Sequence, residues 1–302
     1  MKPFRFTFIA LLLLQVAVIT AQEAPKNWNK STELGLAVSQ VSLTNWAAGG
    51  DNSIAGNGYF NFIAKYNKEK TSWENGLSLA YGLSKQGDLK VRKTDDKIDF
   101  YSKYGHKIGT HWDASVLFNF KTQFAKGYNY KVSDSIVISN FLAPGYVLLG
   151  TGFDYKPVDY FSAFISPLTG RLTIVTDTAL VNAGAYGVAA PVYDGLGSVS
   201  KKGKHVKTEF GASVKLMFKK DIWKNVNLQL KMQLFSDYLK NPQNIDIDGE
   251  MSLLMKVNEY LSTNIVFNTI YDHDINITDK DGKTGPRTQF KEVLGIGFVY
   301  KF

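Results

Sequence analysis

The stretch VNLQLKMQLF sets Val226, Leu228, Leu230, Met232 and Leu234 on one side of an extended chain and Asn227, Gln229, Lys231 and Gln233 on the other. Successive side chains of a strand leave opposite faces, so this segment has one oily face and one strongly polar face. A soluble sandwich would turn the oily face inward, whereas a membrane barrel would turn it outward. Alternation alone does not choose between them.

The same period recurs along the chain in about twelve segments, a count expected of up-and-down barrels. They lie near 31–43, 53–67, 70–84, 95–107, 110–122, 145–156, 159–175, 206–219, 223–238, 244–257, 259–273 and 290–302. The connections between them alternate in length. Those around NWAAGGDNS, around QGDLKVRK, and over 123–144, 177–205 and 276–289 are long, NPQN is moderate, and those at 67–70, 108–110, KPVD, KKDIWK and 258–261 are short. Short periplasmic turns and longer outer loops are the asymmetry of outer-membrane barrels. An even strand number then leaves both chain ends in the periplasm.

Aromatic residues make up 14% of the chain, and they gather where the connections are tight. Tyr66 and Trp73, His106 and Trp112, Tyr155 and Tyr160, Phe218 and Trp223, and Tyr260 bracket the short turns. Rings with an apolar body and a polar tip favour the boundary between hydrocarbon and water. The last segment, VLGIGFVYKF, sets Leu294, Ile296, Phe298, Tyr300 and Phe302 in one row. This alternating aromatic ending resembles the terminal signal recognised by the outer-membrane assembly machinery, which marks Phe298, Tyr300 and Phe302 as assembly residues.

The first residues, MKPFRFTFIALLLLQVAVITAQ, carry Lys2 and Arg5, an apolar run from Phe6 to Ile19, and small residues ending at Ala21. This is the secretory pattern, with cleavage expected between Ala21 and Gln22. The run is shorter than the ~20 residues that span a bilayer as a helix. Residues 1–21 are therefore read as a cleaved signal peptide, 22–30 as a periplasmic segment and 31–302 as the barrel. Beyond the leader no apolar stretch approaches helix-spanning length, so any membrane crossing falls to strands. The chain contains no cysteine, which excludes disulfides, thiol catalysis and a lipidated N-terminal cysteine. Its net charge of +8 suits anionic lipid head groups, lipopolysaccharide included, better than nucleic acid in a secreted chain.

With the apolar set on lipid, the alternate set faces the lumen. It includes Asp246, Asp248, Glu250, Asp272, Asp274, Lys215 and Lys231, together with Glu74, Asp99, Lys103, Asp113, Lys121, Glu209 and Lys256. Charges of opposite sign in so narrow a space either line a polar pore or seal it by pairing. NIDIDGE and YDHDI lie at the outer ends of adjacent strands, so their five carboxylates could converge. They would then pair with luminal lysines or hold a hard cation such as calcium, although TDKDGKTG does not complete an EF-hand loop. No cofactor or metal is assigned. Asp272, His273 and Asp274 form the best acid–base cluster. Alternation turns His273 away from its flanking aspartates and no serine stands beside it, so no catalytic residue is named and no enzyme is expected.

Several stretches carry a resemblance when taken together: NWAAGGDNS, RKTDDK, SNFLAPGY, DYKPVDYFS to SPLTG, NAGAYGV, NPQNIDID and IYDHDI. They are similar to a family of Bacteroidota envelope proteins described only as a domain of unknown function. The resemblance implies an outer-membrane barrel in that phylum and brings no activity. Within FISPLTGRLTIV, Pro167 cannot donate to a ladder and marks a bulge or a break. The loop after it is long enough either to fold into the lumen or to stay loose outside.

The expected fold is all-β, an up-and-down antiparallel transmembrane barrel of the outer-membrane type. Two functions remain open: a narrow polar pore or transport-related barrel, and a non-conducting barrel presenting its outer loops to an unidentified envelope partner.

Overall fold

The computed structural model describes residues 27–44, 50–130, 132–258, 261–278 and 281–301. The signal peptide, most of the periplasmic segment, Tyr260 and Phe302 lie outside the described residues. Twelve strands form the wall: β1 (Trp28–Val41), β2 (Ser53–Lys68), β3 (Thr71–Gln86), β4 (Arg92–Lys107), β5 (Trp112–Thr122) and β6 (Gly145–Val158), then β7 (Phe161–Ile174), β8 (Val206–Trp223), β9 (Val226–Asp237), β10 (Ile245–Lys256), β11 (Leu261–Tyr271) and β12 (Gln289–Lys301). Each pairs antiparallel with its sequence neighbours, and β12 closes on β1. The first strand begins at Trp28, ahead of the boundary expected at 31. The KKDIWK stretch, read as a turn, is the end of β8; a bulge between Asp221 and Trp223 lets that strand run on.

Side-chain burial is inverted relative to a soluble sandwich. Leu36 and Leu168 are each 56% exposed and Phe298 is 67% exposed, whereas Asp154 and Glu209 are 0% and 2% exposed. Apolar rows that face outward from a closed barrel need hydrocarbon around them, because water would charge roughly 25 cal/mol for each Å² left wet. No described helix is long and apolar enough to cross a membrane. The aromatic residues of the short-turn end meet across neighbouring hairpins. Trp28 lies 5.3 Å from Tyr66 and 5.8 Å from Trp73, Trp112 lies 4.7 Å from Tyr155, and Tyr160 lies 5.7 Å from Phe218.

Pro167 does not end its strand. β7 passes through it, and the ladders to β6 and β8 skip a step there. The hydroxyl of Ser166 donates to the carbonyl oxygens of Thr151 and Leu168, and Thr169 donates to Ser166 Oγ at 2.7 Å. Side-chain hydroxyls thus take up backbone acceptors that the bulge frees. Beyond β7 the chain forms a one-turn helix, Thr178–Asn182, whose first amides are accepted by the Asp177 side chain. Leu180, Val181 and Val188 bury themselves against Ala143 and Val175, giving the outer loops a small core of their own.

The seams differ in length. β2 and β3 pair along their whole extent, from Ser53↔Gln86 to Lys68↔Thr71. Among the described residues β1 and β12 pair over five positions only, from Glu33↔Lys301 to Ala37↔Gly297.

Candidate functional site: a lumen crossed by ion pairs

The alternation that turns leucines outward brings charge inward. At the outer end Arg171, on β7, is the hub. Its guanidinium donates to both carboxylate oxygens of Glu209 and, at 2.6 Å, to Asp246, with Asp272 at 4.0 Å. It also stacks over the Phe235 ring at 4.2 Å. A planar fork with several donors suits such a cluster better than a lysine would. Beside it Lys207 bridges Glu209 at 2.9 Å and Asp274 at 2.6 Å, and Lys240 reaches Asp274 at 3.0 Å. Burial acts to raise the Asp274 pKa, but the hydrogen bonds from Lys207 and Lys240 outweigh it and hold the carboxyl below its ordinary range.

The loop after β7 closes over this end. Gly187, with φ of +77°, lies so near Lys207 and Asp274 that a Cβ there would come within 3.4 Å of Lys207 Nζ. The neighbouring Tyr186 hydroxyl donates to the carbonyl of Ile138, and burial pushes its pKa up to about 12. The loop thus divides between the two arrangements left open: Tyr186 and Gly187 lie against the outer end of the lumen, and Val192–Lys201 stays exposed.

At mid-height the ties run from wall to wall. Glu250 on β10 accepts from Lys231 at 2.9 Å on the neighbouring β9 and from Lys97 at 3.0 Å. Lys97 stands on β4, six places round the ring and so on the opposite wall. Asp248 accepts from Lys121 of β5 at 2.5 Å, again across the interior. Asn119 donates to Asp99 at 2.8 Å in the same zone. Each contact offsets part of the cost of holding charge away from bulk water.

Below this layer, toward the short turns, Asp154 accepts from Lys103 at 2.6 Å and pairs with Lys156 at 3.1 Å, while Lys156 also reaches Asp113 at 2.7 Å. Two strand pairs repeat one device. Tyr59 lies on Gly35 and donates to Glu33 at 3.0 Å, and Tyr101 lies on Gly76 and donates to Glu74 at 2.5 Å. A Cβ at either glycine would fall 2.1 Å from the ring, so only glycine admits this approach. Toward the short turns the lumen holds a cavity of about 460 Å³, bordered by Asn67, Asp159 and Tyr160 at the short-turn end and reaching inward to Tyr101, Lys103 and Lys215.

The five carboxylates read as converging are thus shared among separate cations. Asp246 and Asp272 belong to Arg171, Asp274 to Lys207 and Lys240, Asp248 to Lys121, and Glu250 to Lys97 and Lys231. Lys215 stands apart from them on the cavity wall, and Phe298 and Tyr300 stand on the outer face. Sequence reading missed Arg171, Lys97, Asp154 and the two tyrosines. The repeated Glu-x-Gly-Leu of ELGL (Glu33–Leu36) and ENGL (Glu74–Leu77) was the available signal for the tyrosine pockets.

Residues 38–128 match a family model described as a protein of unknown function (DUF3078), in line with the unknown-function part of the resemblance. No curated protein matches the sequence. Among solved structures the chain is similar to an outer membrane channel from Pseudomonas putida F1, at 10% identity and a TM-score of 0.40, covering 94% of this chain and 98% of that one. It is similar also to the translocator domain of the autotransporter NalP from Neisseria meningitidis, at 9% identity and a TM-score of 0.35, covering 98% and 95%. The NanC porin aligns at 8% identity and a TM-score of 0.36, covering 89% and 98%.

Proposed function

We propose that this chain is an outer-membrane barrel of the transport-related kind, a narrow polar conduit closed at mid-height in the state described. The observation that carries the reading is the contact of Lys97 with Glu250 at 3.0 Å from opposite walls, with a cavity on one side and charged residues continuing on the other. A mobile ammonium and a carboxylate form a tie that can part when an incoming ion competes for either member. Lipid and lipopolysaccharide surround the apolar outer face, and the row ending in Phe298 and Tyr300 serves the assembly machinery. The reading assigns no catalysis.

Planar-bilayer recording tests the conduit. Wild-type protein is expected to be mostly silent with brief small events, and Asp248→Asn with Glu250→Gln to lengthen them. Silence in both would overturn the conduit and leave the second reading, a non-conducting envelope barrel, which the matched mid-lumen charges favour. Sedimentation with outer-membrane fragments is expected; recovery in the soluble periplasmic fraction would overturn the location.

A further inference from the structure

We propose that the cavity at the short-turn end is a binding site for a small organic anion, with Lys215 holding the charged head and the wall formed by Leu117 and Phe164 holding an apolar body. The cavity contains amines of two kinds. Lys65, Lys103 and Lys156 are engaged with Glu74, Asp154 and Asp113 at 2.6–3.1 Å. Lys215 has no ion pair among the described residues, and its nearest described contact is the face of the Tyr101 ring at 5.2 Å. The carboxylate that acts on it from a distance, Asp99, forms no ion pair with it and is shared with Lys121 and Lys97, so the ammonium stays costly to keep in the lumen and an entering anion relieves that cost.

The surroundings narrow the class of ligand. Leu117 and Phe164 border the cavity and pack with Leu148 and Tyr101 into an apolar cluster on the lumen side, nearly closed to solvent at 3% and 2% exposure until a ligand presses against it. About 460 Å³ falls within the range of small-molecule sites and is more room than a bare oxyanion fills. The entrance faces the short-turn end, and lysines at its border favour anion approach.

The inference takes the lumen as the functional space, as proposed above. Binding is measured at equilibrium, so it succeeds or fails independently of conduction. Detergent-solubilised full chain is titrated calorimetrically with phenyl phosphate and with inorganic phosphate as the head alone. Wild-type protein is expected to bind phenyl phosphate at a single site and inorganic phosphate more weakly. Lys215→Met should weaken phenyl phosphate by roughly tenfold or more, the loss expected when one charge-assisted contact is removed, and Lys215→Arg should retain it. Unheated gel migration identical to wild type shows that each variant is folded. Equal binding by Lys215→Met, or no binding by wild type at millimolar ligand, would overturn the site. Equal affinity for the two probes would overturn the role of the apolar wall.

Discussion

The wall of β6, β7 and β8 and the seam of β12 with β1 are made of the same alternating strands, yet they are held in different ways. On the wall the lumen face is crowded: Phe164, Ser166, Thr169, Thr173, Glu209 and Ser213 are all buried, and Arg171 ties β7 to β8 and β10 from within. At the seam the lumen face offers the small residues Gly35, Ala37, Gly295 and Gly297 beside Glu33, and among the described residues five backbone pairs join the strands. The described ladder is short at the seam, whereas on the wall long ladders are reinforced by a dense set of buried side chains. The difference teaches that the polar content of a barrel interior is a local reinforcement, unevenly spent round the circumference.

The strongest way to break this comparison is at the seam. A Cβ at Gly297 would fall 2.2 Å from the Leu36 carbonyl oxygen, so Gly297→Val should abolish the closing ladder and with it the compact, heat-modifiable form on unheated gels. Gly295→Ala, whose Cβ meets only the Ala37 side chain at 3.4 Å, should keep that form. If Gly297→Val folds normally, the seam is not what closes the barrel.

On the wall, Arg171→Met strands Glu209 and Asp246 without their shared cation. The expected loss is about 3–5 kcal/mol in denaturant unfolding, the penalty for breaking a buried pair from one side. A change too small to measure would show that the interior ties do not reinforce the wall.

The smallest effect belongs to the outer rim, where Asp274 is partly open to solvent. Its carboxyl titrates below the ordinary range in the folded chain, so its contribution is complete above the unfolded-state pKa and disappears as pH falls through the folded value. Unfolding midpoints followed from neutral pH into the acid range should therefore fall slightly less for Asp274→Asn than for wild type. Parallel curves would mean that Lys207 and Lys240 do not hold this carboxylate in solution.

The strands were legible because alternation is a local property: VNLQLKMQLF declares its two faces without reference to any other segment. The luminal placement of Asp248, Glu250 and Lys231 followed from the same rule. Their partners did not, since Glu250 meets Lys97 across 153 residues and Asp248 meets Lys121 across 127, distances that only ring closure brings together. Arg171 was hidden by Pro167, four residues before it, which made the strand look interrupted; the hydroxyls of Ser166 and Thr169 carry the backbone past that point. Lys215 and Lys231 occupy equivalent alternating positions in sequence. What separates them is the nearest partner, a ring from the far wall for Lys215 and a carboxylate on the adjacent strand for Lys231.

The tie between Lys97 and Glu250 also has a mechanical consequence. A hoop of hinged staves flattens easily under side pressure, and a brace across its diameter opposes ovalisation along that axis. Lipid squeezing this barrel would therefore meet added resistance along the β4–β10 direction for as long as that pair holds.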